Sequence, residues 1–353
     1  MMNATSTWRA RLCRAACCLF MVAPSFAEGE KKEVEMSIPP EVQKSIDKGL
    51  AYLARTQMPD GSWPTKFGRT TGIVGSCALA FMASGHLPGR GRYGRNVERS
   101  IDFLVRSTRS DGLVYQEGMP GMPMYHHGIA ALALAEAWGT GEQKDEDIRK
   151  ALTKAIDLLV RIQSRRGGWR YQPRPTSGED MSVTVIQMLA LRAAHDVGIY
   201  VPKSTIDSGL QYIRSCHDPS SHGFKYQPSG GPGFNMTAAG VLSLQLAGQY
   251  DAPEVVGGLK NILRQFFGMT GTSKVDHFYY YGRYYVAQCV YQAQSKVDWG
   301  ITAWNTFYPA IAKELTSKQM ASGAWHSLYD EYGTAQSLLV LAVPNRYLPI
   351  YQR

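Results

Sequence analysis

Apolar and polar positions along the chain alternate between two textures. Segments 42–55, 97–106, 148–162, 204–214 and 254–266 space charged side chains around one apolar stripe at the helical period, which predicts amphipathic helices. A sixth, 307–315, follows an aromatic-rich stretch at 299–304. Between them lie segments rich in Ala, Gly, Leu and Val and poor in charge: 71–83, 127–137, 182–194, 237–247, 280–294 and 333–343. Helices this apolar are expected to be enclosed on most sides.

The two textures belong to a repeat. Gly168, Trp169, Tyr171, Gln172 and Pro173 return as Gly223, Phe224, Tyr226, Gln227 and Pro228 at an offset of 55, and a backward step of 56 sets Leu113 on Trp169. Each unit reads as an amphipathic helix, a Gly/aromatic turn, an irregular stretch and an apolar helix. Units of this size cannot bury their apolar faces alone, so neighbours must stack. Stacking leaves an open solenoid or a closed ring. No terminal unit carries an evidently polar capping helix, and Ala/Gly-rich helices can crowd around a narrow centre. The expected fold is therefore all-α, an α/α toroid of about six helical hairpins with the charged helices outside.

Three turns share one spacing: Gln57, Gly61 and Trp63; Gln163, Gly167 and Trp169; Gln319, Gly323 and Trp325. A glutamine can bond free backbone groups at the helix end, a glycine permits the turn, and a tryptophan covers the hairpin seam. In this motif the chain resembles the prenyltransferase and squalene-oxidase repeat group, known for the QW motif of squalene and oxidosqualene cyclases. The resemblance spans roughly residues 39–347 and implies the toroid. It leaves the function open, because the architecture hosts cyclisation, prenyl transfer, sugar elimination and binding.

Residues outside the repeats read as follows. Arg9, Arg11 and Arg14 precede a short apolar run ending near Ala27, so 1–27 is expected to be a signal peptide, with export to the periplasm or medium. Residues 28–38 read as an exposed leader, 39–348 as the repeat domain and 349–353 as a C-terminal tail. No stretch is long and apolar enough to be read as a transmembrane segment. Three of the six cysteines leave with the signal, and Cys77, Cys216 and Cys289 read as packing residues rather than a disulfide framework. Lys and Arg form no block interleaved with aromatics, which argues against nucleic-acid binding.

The chemistries implied by the resemblance fit unevenly. Cyclases of the group carry an Asp-x-Asp-Asp motif at an inner-helix start, and the counterpart here, Gly178, Glu179 and Asp180, supplies one acidic pair. Such cyclases usually also carry a second helical domain, for which this chain is short. Prenyltransferase β subunits hold zinc through Asp, Cys and His, yet Asp276 is followed by Phe278 where the cysteine would stand. No metal or cofactor is expected. Polar residues nonetheless gather where apolar helices begin, at one end of a ring: His127, Asp180, Asp276 and His277 are the acid/base candidates, with helix capping as the plainer role of Asp180. Tyr281, Tyr284, Tyr285 and Trp304 could wall a cavity, and Arg283 could anchor a carboxylate or phosphate. The favoured reading is an exported binding protein for an isoprenoid, lipid or carbohydrate ligand or a protein partner. The alternative is a terpene-cyclase-like or polysaccharide-lyase-like enzyme acting at the cavity mouth.

Overall fold

The computed structural model describes residues 37–66, 68–116, 122–140, 145–269, 275 and 278–351. The expected signal segment, most of the leader, Asp276 and His277 lie outside the described residues. Within the compact unit Glu33–Arg353, the amphipathic helices are α1 (Pro40–Thr56), α3 (Gly94–Arg106), α5 (Asp145–Ile162), α7 (Lys203–Ser215), α9 (Pro253–Met269) and α11 (Gly300–Ser317). The apolar ones are α2 (Thr71–Ala83), α4 (Pro123–Ala137), α6 (Met181–Asp196), α8 (Phe234–Leu246), α10 (Tyr279–Ala293) and α12 (Asp330–Leu341). Short antiparallel strands stiffen two turns, β1 (Pro64–Thr65) with β2 (Gly68–Arg69) and β3 (His217–Asp218) with β4 (Gly223–Lys225) and β5 (Pro232–Gly233).

The apolar helices pack on one another in the order α2, α4, α6, α8, α10, α12, and α12 returns to α2. The ring is closed. Every residue of α2 is buried, whereas α1 buries one stripe of six residues and shows its charges to solvent. Inner helices approach closely at glycines: a Cβ on Gly128 of α4 would stand 2.5 Å from Ile186 of α6, and one on Gly282 of α10 would stand 1.9 Å from Asn235 of α8. Any larger residue there would have to displace these neighbouring side chains.

The three Gln/Gly/Trp turns hold the outer layer. Indole N–H groups of Trp63, Trp169 and Trp325 donate to the carbonyls of Leu53, Leu159 and Leu315 near the ends of their own outer helices. Each indole is essentially fully buried, a burial whose loss costs about 3–5 kcal/mol. The glutamines reach further than a helix end. Gln57, Gln163 and Gln319 each donate to the carbonyl of the turn glycine and to a carbonyl in the first two turns of the next outer helix, Asn96, Thr205 and Ser45 respectively. Through Gln319 the last unit grips α1, so the same device that joins neighbours also closes the ring.

Several expectations shift. The backward repeat step is 55, not 56: Gly112, at φ 96°, stands where Gly167 stands at φ 92°, and Val114 takes the place of Trp169. Helix α11 begins at Gly300, so the aromatic stretch at 299–304 is mostly helix rather than a lead-in. The C-terminal tail is not free: Pro349–Tyr351 forms a 3-10 turn in which Ile350 is 6% exposed.

Candidate functional site

The inner helices run parallel, and their N-terminal ends bring polar groups to one end of the ring. Asp180 caps α6 in extended conformation, its Oδ1 accepting the Val183 N–H at 2.9 Å and the Ser182 hydroxyl at 2.6 Å. The Ser182 hydroxyl is also hydrogen-bonded to the phenol of Tyr125 on α4. Tyr125 in turn lies in electrostatic reach of Tyr281 and Tyr285 on α10 and of Tyr332 on α12. A chain of polar groups thus leads from a fully buried carboxyl to phenols contributed by two other helices.

Tyr125, Ile129, Tyr281, Tyr284 and Tyr332 each keep part of their surface accessible, although their helices are otherwise buried almost throughout. Desolvation by burial nevertheless raises all four phenol pKa values. Side chains surrounded by protein yet not sealed by it border a recess. We refer to it as the lumen. Tyr285 packs behind this wall, its ring centroid 4.7 Å from that of Tyr281 and 5.2 Å from that of Tyr284.

Two carboxyls bracket the lumen. Burial raises the pKa of Asp180, partly offset by the Ser182 hydroxyl, the Val183 N–H and the Arg170 guanidinium, which favour the charged form. Glu136 sits near the other end, at the C-terminus of α4, where its Oε1 accepts the Ile350 N–H at 3.2 Å. Burial pushes its carboxyl up to about 8, and Tyr284 feels its charge. Gln292 donates to the Ile350 carbonyl, so the C-terminal segment is held across this end of the inner helices. Glu136 was missed at the sequence level, although a lone acid within the apolar run 129–137 is a legible signal.

The structure divides the sequence candidates. Asp180, Tyr281, Tyr284 and Tyr285 gather at or behind the lumen. His127 does not: fully buried, it turns its Nδ1 to the Val114 N–H at 3.1 Å, and burial lowers its pKa to about 4. Thr184, Thr237 and Thr334 accept the equivalent N–H groups of Trp169, Phe224 and Trp325, so His127 fills a turn-fastening position. Arg283 is likewise turned outward, paired with Glu314 of α11 at 3.1 Å and set against the rings of Tyr279 and Phe266, because a buried guanidinium needs a counter-charge. Trp304 belongs to α11 and packs between Tyr291, Phe307 and Tyr308 in the inter-layer core, not on the lumen. Among the described residues no group of three His, Cys, Asp or Glu side chains converges as a metal site would require.

This ring of parallel inner helices around a tyrosine-walled lumen is the terpene-cyclase-like α/α toroid. Type II terpene cyclase MstE from Scytonema, in complex with geranylgeranyl dihydroxybenzoate, superposes with a TM-score of 0.61 at 15% identity, covering 87% of this chain and 98% of that one. An inactive variant of the α-1,6-mannanase of a Salegentibacter species, in complex with α-1,6-mannotetrose, superposes at 0.62 with 8% identity over 85% of this chain and 98% of that one. Such identities establish the fold alone. In sequence, drimenyl diphosphate synthase of Streptantibioticus cattleyicolor is 29% identical over 162 residues, 42% of this chain. Its namesake in Streptomyces showdoensis is 26% identical over the same length. The match spans 29% of the length of either curated relative. No family model matches the chain.

Proposed function

We propose that this protein is a terpenoid-cyclase-like enzyme that takes an apolar isoprenoid chain into the lumen and starts its reaction by protonation from Asp180. The observation that carries the proposal is the Asp180–Ser182–Tyr125 chain, which joins a buried carboxyl of raised pKa to the aromatic wall. Oδ1 is engaged by Ser182 and Val183, which leaves Oδ2 to hold the proton, with the Tyr226 phenol near enough to favour the carboxylate once it has left. When the proton passes to a terminal alkene carbon, a carboxylate and a carbocation are formed together. The two donors on Oδ1 stabilise the carboxylate, and the faces of Tyr281 and Tyr332 offer π-density to the cation. The next double bond of the folded chain attacks that cation, closing a ring and carrying the charge onward; a carbon next to the final cation then loses its proton to the Tyr125–Ser182 chain, which regenerates an alkene and returns a proton to Asp180.

The similarities to drimenyl diphosphate synthase and to a substrate-bound type II cyclase support this over a passive binding protein. Chain length is no objection, since the Scytonema cyclase is covered over 98% of its chain by this toroid alone. The test is product analysis with a panel of farnesyl and geranylgeranyl substrates. Cyclised product is expected from the wild type, and Asp180→Asn, which keeps the helix cap, is expected to lose about 1,000-fold in rate. Equal turnover by the variant would sink the assignment.

A second reading has one observation in its favour. The mannanase variant is inactive with two neighbouring aspartates replaced, and this chain has adjacent acids at Glu179–Asp180 and Asp330–Glu331. The latter pair borders a cavity of about 430 Å³ with Tyr52 and His326. Release of reducing sugar from α-1,6-mannan oligosaccharides, lost in Asp330→Asn, would favour it.

A further inference from the structure

One turn breaks the repeat in a way that makes a pocket. In the described turns of four units, a glycine at φ 92–96° lies flush on the next outer helix. A Cβ there would stand 2.0 Å from the Arg99 carbonyl at Gly61, 2.2 Å from Lys154 at Gly112, 2.0 Å from Ser208 at Gly167 and 2.5 Å from Lys48 at Gly323. The turn between α7 and α8 places His222 at this position, at φ 55°, a backbone conformation costly for a residue with a Cβ. The missing glycine reappears across the seam: a Cβ on Gly257 of α9 would fall 2.3 Å from the His222 ring. Turn and helix have exchanged the small residue, and the ring now stands where the other units have only a carbonyl contact.

Beside this contact, with His222 and Gly257 both in its wall, lies a cavity of about 380 Å³. Lys260 and Arg264 enter its lining from one face of α9, four residues apart, and both are exposed. Asn261, 8% exposed, fixes the wall by donating to the Ser221 carbonyl at 2.8 Å and accepting from Gln265. Among the described residues no acidic side chain lines the cavity. Two carboxylates close in sequence to the lining residues are committed elsewhere, Asp218 to the hydroxyls of Ser220 and Ser221 and Glu254 to Arg214. Among the described residues, two cations and an imidazole therefore line a space of small-molecule size with no carboxylate in its wall; the Lys260 ammonium also lies 6.0 Å from the Trp299 ring centroid.

We propose that this pocket binds a compact oxyanion, a phosphate, sulfate or carboxylate group borne by a small molecule, through Lys260 and Arg264 with His222 closing over it. Guanidinium and ammonium groups favour such ligands by charge-assisted hydrogen bonds. The site lies on the outer seam of the ring and stands independently of the reading of the lumen. Isothermal titration of the folded protein in low-salt buffer with inorganic phosphate, sulfate or glucuronate tests it, together with the NMR signal of the His222 ring. The expected result is saturable binding of at least one anion with a matching His222 shift, weakened about 10-fold or more in Lys260→Gln/Arg264→Gln. Which anion binds tightest tells a phosphate or sulfate ligand from a uronate. Both changes are on exposed positions and leave the packing of α9 intact. Absence of saturable binding by all three anions, or equal affinity in the double variant, overturns the proposal.

Discussion

Glu136 makes stability depend on pH in a direction that few surface carboxylates share. In the unfolded chain it ionises near its ordinary value of 4.5, and in the ring burial holds it up to about 8. Between those values the unfolded chain has released a proton that the folded protein retains, so rising pH favours unfolding. At 1.36 kcal/mol per pH unit, the penalty is small at pH 4.5, about 3 kcal/mol at pH 7 and levels off near about 5 kcal/mol well above pH 8. Glu136→Gln removes the titration while keeping an acceptor for the Ile350 N–H. Urea unfolding at pH 5, 6, 7 and 8 should show the variant gaining on the wild type by roughly 1.4 kcal/mol for each unit. Whatever fixed offset the amide introduces, that slope is the signature. A constant difference across the four pH values, or a variant that loses ground as pH rises, would refute the buried, neutral carboxyl.

Other expectations follow from the same contacts. His127→Thr should lose less stability than His127→Ala, because threonine fastens the equivalent turn in three other units and both variants leave a cavity beside Val114, whereas the alanine also orphans the Val114 N–H, a further cost of about 1–3 kcal/mol in denaturant unfolding. Gly323→Ala should destabilise by more than about 2 kcal/mol, since its Cβ would strike the Lys48 carbonyl at the ring-closing seam from a left-handed backbone. Thermal unfolding of Gly323→Ala beside the surface control Gly268→Ala separates that seam from a general effect, as nothing stands within 4 Å of a Cβ at Gly268.

The ring was legible because its causes are periodic. Charge on one helix of each pair and none on the other told inner from outer, and α2 starts and stops where the pattern does, at Thr71–Ala83. Direction of a single side chain was far less legible. Adjacent positions on a helix point different ways, so Arg283 and Tyr284, neighbours in sequence, went to an ion pair with Glu314 and to the lumen respectively. His127 was misjudged because histidine suggests chemistry, while its role is defined only by comparison with threonines in spatially equivalent turns. Asp180 serves as the helix cap the sequence suggested and is also tied to Tyr125. That second tie depends on Ser182 and on a helix 57 residues away, which no local pattern reports. The pocket at His222 shows the converse: a departure from the repeat stood in plain view at the position of Gly167, but its meaning needed Gly257 across the seam.

Protonation by the enzyme is the claim on which the functional account turns, and reaction in deuterated water measures it. After exchange of the Asp180 proton, each cyclised product molecule should carry one deuterium at the carbon that was the terminal alkene, read by mass spectrometry and NMR. The label should vanish together with the product in Asp180→Asn. Cyclised product without deuterium, or no product from any isoprenoid that binds, would contradict the account.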